Sequence, residues 1–216
     1  MQTDVGVFHT ADMFRAIRPL VLASASPRRR DFLRELGIAC RIMPPPGGAE
    51  PLPLLEEAPE VFVARAAKAK ADSVHAALTA ECRNMEMPVV LGADTVVFRG
   101  TRIYGKPADE KEAFQFLVEL AGREHTVLTA CWLRLDEETG VAFSGSAKVF
   151  MGAWPESVLR AYANGGEGLD KAGGYAVQGQ GGFLVERLEG SWSAVIGLPV
   201  AETVTALIRN AVIKTY

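Results

Sequence analysis

Short apolar runs of strand length alternate with amphipathic stretches of helix length along the 216-residue chain. That alternation restricts it to the α/β class. Leu20–Ala23 reads as a short buried strand. Ser26 and Pro27 then open a helix that closes at Gly37, with Ser as N-cap, Pro at the first helical position and Gly as the stop. Residues 40–59 hold six prolines and a Gly-Gly pair, which makes a long surface loop. Residues 60–80 read as a helix with Val61, Ala64, Ala67 and Ala71 along one face. Residues 88–98 are strongly β-like, and Arg99-Gly100-Thr101 turns the chain into Arg102–Tyr104. Asp109 and Glu112 form a capping pattern before a helix that ends at Gly122. Residues 126–135 and 141–151 are expected to pair around a polar turn at 136–140. A short helix over 155–163 stops at Asn164-Gly165-Gly166, and a last helix follows Pro199. Ten of the 21 glycines fall between positions 165 and 197, in a stretch expected to be β-rich.

Charge narrows the function. Lys plus Arg number 23 and Asp plus Glu 26, a formal net charge of −3, which argues against a protein that coats nucleic acid. An anionic ligand must then be held by a few cations gathered in one place, or by a metal. No apolar run approaches the ~18 residues of a membrane span. The first 19 residues contain Asp4, His9 and Asp12 and lack a continuous apolar core, so they do not read as a secretory signal. Residues 1–18 are taken as an N-terminal extension, expected to be mobile, and 19–216 as one domain. Cys40, Cys82 and Cys131 lie far apart without a paired spacing, which suggests free thiols in a reducing compartment and a cytoplasmic protein.

Two places carry chemistry. Ser24-Ala25-Ser26-Pro27-Arg28-Arg29-Arg30 sets three arginines in the first turn of a helix, where they oppose the macrodipole until an anion arrives. Backbone N–H groups, Ser hydroxyls and guanidinium forks would meet a phosphate together. A solvated basic turn paired with neighbouring carboxylates is the other reading. Asp94 interrupts an apolar strand whose neighbours demand burial, so its carboxylate needs a partner, a hydrogen bond or a metal. It is either a general base or metal ligand facing a cleft, or a structural Asp capping a bulge at Gly92. The segment from Gly100 to Lys106 has P-loop spacing, but Pro107 stands where Ser or Thr is required, leaving Lys106 at most a point-charge phosphate contact. Gly179-Gln180-Gly181-Gly182 is followed by a β-like run and is no dinucleotide fingerprint. His125, near a strand start, reads as structural. No nucleophile elbow or Cys-His pairing can be read, and the Asp, Glu, Arg and Lys inventory suits metal-assisted phosphoryl transfer.

Taken together these segments resemble the Maf family of nucleoside triphosphate pyrophosphatases. The resemblance is carried by Leu22-Ala23-Ser24-Ala25-Ser26-Pro27-Arg28-Arg29, by residues 64–71, by Leu91-Gly92-Ala93-Asp94-Thr95 and by Gly105-Lys106-Pro107. It continues through 170–179 and 190–199, so that it spans about residues 20–210. The family implies cleavage of nucleoside triphosphates between the α and β phosphates, with a divalent metal, Mg²⁺ or Mn²⁺. It implies an elongated, curved mixed sheet flanked by helices, with two lobes around a deep cleft, and a homodimer would be unsurprising.

By the same resemblance Asp94 is the proton acceptor for the attacking water and, with Glu50, a metal ligand. Ser24, Arg28, Arg29, Lys70 and Lys106 contact phosphates, and Glu50 sits where the family places a functional carboxylate. Arg28-Arg29, Asp94-Thr95 and Gln178 match the branch acting on dTTP and UTP, where a Gln amide can meet a pyrimidine edge. Ala130, in place of a commonly seen Gly, and Gly166-Glu167, in a longer Gly-rich loop, depart from the family pattern. The alternatives are the same reaction on 7-methyl-GTP or a modified nucleotide, or a nucleotide-binding regulator of cell division without turnover.

Overall fold

The computed structural model describes residues 13–47, 51–81 and 86–216. In chain order the strands are β1 (Phe14–Ala16), β2 (Leu20–Ala23), β3 (Arg41–Ile42), β4 (Val89–Arg99), β5 (Arg102–Tyr104), β6 (Glu124–Arg134), β7 (Gly140–Met151), β8 (Val185–Gly190) and β9 (Ile213–Thr215). The helices are α1 (Pro27–Glu35), α2 (Pro59–Glu81), α3 (Glu110–Leu120), α4 (Glu156–Asn164), α5 (Trp192–Ile196) and α6 (Val200–Arg209). Seven strands form one mixed sheet in the order β3-β2-β4-β6-β7-β8, with β5 paired to β4. β2 runs parallel to β3 and β4, whereas from β4 through β6 and β7 to β8 each strand is antiparallel to the next. Among the described residues no helix is long and apolar enough to cross a membrane.

Side-chain alternation along β4 decides which helices lie on which face. Val90, Val96 and Phe98 point to one face, where α2 covers them with Val63, Ala67, Ala71, Val74 and Leu78. Val89, Leu91 and Ala93 point to the other, under Phe32 and Leu33 of α1 and Ala206 and Leu207 of α6. Further along that second face Val97 and Val127 join a separate cluster with Phe116 and Leu117 of α3 and Leu159 and Tyr162 of α4. The two clusters stay apart, and position 95 falls between them.

Several expectations change. Val61 and Ala64 are exposed; α2 instead buries Val63, Ala66, Ala67, Lys70, Ala71, Val74 and Leu78. Alanines recur on more than one face of that helix, so their spacing alone could not single out the stripe that meets the sheet. The proline-rich segment begins as a strand, because β3 extends the sheet beside β2. The Gly-rich stretch is not β-rich. It holds 3-10 turns at Ala172–Gly174 and Gln180–Leu184, β8 and α5, because glycines 173, 174 and 179 take positive φ values that break a strand. No bulge occurs at Gly92, where the β4–β6 register runs without a shift. Part of the expected extension is ordered, since β1 pairs antiparallel with β9; residues 1–12 and Cys82 lie outside the described residues. Gly37 stops α1 at φ 73°, but the Ser26 side chain makes no cap bond.

His125 is 2 % exposed, and its Nε2 lies 2.7 Å from the Tyr175 hydroxyl. Burial holds its pKa down, at about 4, so the folded protein keeps the ring neutral. The unfolded ring titrates at ~6.5, so between that value and about 4 the unfolded chain binds more protons. The stabilisation is therefore complete above the unfolded pKa and is lost as pH falls toward the folded one. Denaturant unfolding of wild type and His125→Gln from pH 7 to pH 4 should show a shallower acid loss of stability in the variant; parallel curves would contradict this assignment.

Candidate functional site

The site lies at a break in the sheet. On the edge of β4 away from β6, pairing with β2 ends at Ala23 opposite Gly92, and pairing with β5 begins at Tyr104 opposite Val97. Residues 93–96 therefore have no strand partner on that edge among the described residues. A cleft of about 890 Å³ opens there, a size suited to a nucleotide-sized ligand. Of the expected residues, Ser24, Arg28, Arg29, Lys70, Asp94, Thr95, Lys106 and Gln178 all line it. Glu50 lies outside the described residues.

Asp94 points to the α2 side, where Lys70 Nζ meets its Oδ1 at 2.7 Å. The two side chains are 19 % and 8 % exposed, so the pair is largely removed from water. Removing one partner of a fully buried pair costs about 3–5 kcal/mol, and less where, as for Asp94, some solvent contact remains. The contact depends on close approach of helix to strand. A Cβ at Gly92 would lie 2.4 Å from the Ala67 carbonyl oxygen and 2.9 Å from the Ala71 Cβ. Gly92 and the small residues of α2 thus bring Lys70 over Asp94, a close packing that the sequence reading missed.

Thr95, the next residue, points to the opposite face and meets α1. Each nitrogen of the Arg29 guanidinium donates a hydrogen bond: Nε to the Gly197 carbonyl at 2.7 Å, Nη1 to Ser24 Oγ at 3.0 Å and Nη2 to Thr95 Oγ1 at 3.1 Å. Arg29 is 8 % exposed, so it joins α1, β4 and the turn after α5 from within. Ser24 Oγ also accepts from the Ser26 amide at 3.1 Å. With both lone pairs engaged, the remaining capacity of that hydroxyl is its own proton.

Across the cleft, Arg28 Nη1 reaches to 4.0 Å from Asp170 Oδ2, and Lys171 holds the other oxygen of that carboxylate. Lys106 stands exposed after β5, on a segment tied down by the Gly173 amide donating to the Gly105 carbonyl at 3.0 Å. Gln178 is exposed on the Gly-rich loop. That loop is organised by Glu167, whose oxygens accept from the Gln180 amide at 2.9 Å, the Gly181 amide at 2.8 Å and the Tyr162 hydroxyl at 2.8 Å. Tyr162 in turn accepts from the Ala176 amide at 3.0 Å, so Gln178 is bracketed on both sides. The hydrogen bonds to Glu167 lower its pKa against the opposing effect of burial. Buried Cys131, behind Arg29, has its pKa pushed up to about 12 by desolvation, which makes it a poor nucleophile. Sequence reasoning also missed Thr129 and Glu167. A Thr inside the apolar run of β6 and a Glu inside the Gly-rich loop were the signals available.

Residues 19–210 match the family described as Maf-like protein. A dTTP/UTP pyrophosphatase of Nitratidesulfovibrio vulgaris is 44 % identical over 207 residues, covering 96 % of this chain and 95 % of that protein. Another, from Oleidesulfovibrio alaskensis, is 42 % identical over 202 residues, covering 93 % and 89 %. The solved structure of the Staphylococcus aureus Ham1 protein aligns with a TM-score of 0.44 at 14 % identity, over 63 % of this chain and 73 % of that one.

The contact at Gly92 is directly testable. Gly92→Ala should lower the unfolding free energy by about 1–3 kcal/mol in denaturant titrations, because a backbone oxygen blocks the new methyl group. Gly105→Ala, at a glycine with nothing within 4 Å of its would-be Cβ, should change it by less than about 0.5 kcal/mol.

Proposed function

This chain belongs to the family of Maf-like proteins, and we propose on that premise that it hydrolyses nucleoside triphosphates, dTTP and UTP, between the α and β phosphates. The products are the nucleoside monophosphate and pyrophosphate, a reaction that clears nucleotides from the cellular pool. The reading is supported above all by one arrangement: the carboxylate of Asp94, with Lys70 on one oxygen, faces a cleft that also holds Ser24, Arg28 and Lys106.

Each residue then has a task. The triphosphate enters at the N-terminus of α1, where the amides of the first turn are without intrahelical partners and attract negative charge. Ser24 donates its hydroxyl proton to a phosphate oxygen. Arg28 exchanges its long contact with Asp170 for the phosphates, and Lys106 adds a charge from the opposite side. These cations balance the charge that develops on the departing pyrophosphate. Arg29 belongs to the same cradle, with its guanidinium holding Ser24 and Thr95 in place. Gln178, on the loop clamped by Glu167, presents an amide that can donate to and accept from a pyrimidine edge.

Asp94 accepts the proton of the water that attacks the α-phosphorus, and Lys70 keeps its carboxylate in position. The donor set also fits a divalent cation. Mg²⁺ and Mn²⁺ take hard oxygens and commonly bind through one or two carboxylates together with substrate phosphates and water. Asp94, with Glu50 as the second carboxylate the resemblance implies, would hold such an ion, which would neutralise phosphate charge and polarise the reacting phosphorus.

Pyrophosphate release from UTP with Mg²⁺ or Mn²⁺, with the nucleotide product identified, tests the assignment. Wild type should yield UMP and pyrophosphate, and Asp94→Asn should lower kcat by about 10²- to 10⁴-fold. Binding without any product in the wild type would instead support the regulator, and near-normal turnover by Asp94→Asn would remove that residue from its role.

A further inference from the structure

The hydroxyl of Thr95 sits in a hydrogen-bonded chain whose proton order is fixed by its two ends. At one end the Ala194 carbonyl can only accept, so the Thr129 hydroxyl, 2.6 Å away, has committed its single proton there. Thr129 Oγ1 also lies 2.8 Å from Thr95 Oγ1, and with no proton left to give it must accept from Thr95. At the other end the Arg29 guanidinium can only donate, and it donates to Thr95 Oγ1 at 3.1 Å. The proton of Thr95 therefore points into the sheet, toward a residue with no exposed surface. Thr95 itself is only half-buried and lines the cleft, so what it offers a ligand is its second lone pair.

From this order we infer that Thr95 meets the substrate only as a hydrogen-bond acceptor, and that Thr129, which lies behind it, is the positioning residue that imposes this polarity. A phosphate or carbonyl oxygen placed against Thr95 would oppose lone pair to lone pair. The group it reads is a donor. On UTP and dTTP alike the donors are the imide N3–H of the base and the 3′-hydroxyl of the sugar. Cytosine lacks the first, since its N3 is an acceptor. The inference rests on the proposed nucleotide hydrolysis and assigns to that site a polarity that the family resemblance does not supply.

The test compares kcat/KM for UTP, 3-methyl-UTP and 3′-deoxy-UTP in the wild type, Thr129→Val and Thr129→Ser. Wild type should lose about 10- to 100-fold on the analogue that lacks the donor Thr95 reads, mainly through KM, and the analogue affected identifies that donor. Thr129→Val frees the Thr95 proton to turn toward the cleft, so UTP should be handled less well and the ratio between UTP and that analogue should shrink. Thr129→Ser, which keeps the hydroxyl, should restore the wild-type ratio. Equal efficiency on all three nucleotides in the wild type would overturn the inference, and this measurement needs no variant to fold. An unchanged ratio in folded Thr129→Val would overturn it too, because the loss would then be steric. Absence of pyrophosphate from every nucleotide would sink the proposed function instead, so the two failures can be told apart.

Discussion

A carboxylate set into an apolar strand cannot remain alone, and the pairing of Asp94 with Lys70 answers that constraint. The partner arrives on α2, and a lysine near the middle of a long helix reaches a strand side chain only where the two backbones come close. Gly92 and the alanines at 67 and 71 allow that approach, two residues before the carboxylate along β4. The same stripe of small residues sets the rotation of α2, which is why Val61 and Ala64 face solvent. One electrostatic need thus accounts for a packing detail, a helix orientation and the placement of the candidate base.

The second half of the site is built on the other face of the same strand. Successive residues of a strand point to opposite sides, so Asp94 and Thr95 cannot share a neighbour above or below the sheet. They reach one cleft because, among the described residues, β4 has no strand partner along 93–96 on the edge between β2 and β5. Beneath the opening a continuous polar chain runs from Arg29 through Thr95 and Thr129 to Ala194. It carries polar groups through the interior without leaving its own members unpaired, and it lies in the gap between the two apolar clusters of that face. The resulting floor is rigid, which suits a site that must present phosphate-binding groups in a fixed arrangement.

The far wall obeys a different rule. Glycines with positive φ let the chain from 165 to 182 fold tightly, but they do not say into what shape. Glu167 does, by drawing two backbone amides and the Tyr162 hydroxyl onto one carboxylate. At Gly179 a Cβ would fall 2.2 Å from Glu167 Oε1, so the clamp and the glycine require each other. Glu167 is therefore the point from which the loop carrying Gln178 is held.

Local chemistry made much of this legible in the amino-acid sequence. The order of the longer strands and helices from β2 to β7, the Pro27 helix start, the Gly37 stop and the Asp109 cap, whose side chain accepts from the Glu112 amide, follow from interactions within a few residues. Asp94 could be singled out because a charge inside an apolar strand is conspicuous in one dimension, and Ser24 because it opens an arginine-rich helix start, whereas the assignment of Lys106 to phosphate came from the family resemblance. Tertiary structure alone decided that Lys70 pairs with Asp94, that Thr129 lies directly across from Thr95, and that Arg29 is absorbed into the floor of the cleft. Those facts depend on strand register and on helix rotation, quantities set by packing between segments distant in the chain. A sequence lists which groups must find partners, and only close packing in three dimensions chooses which partners they find.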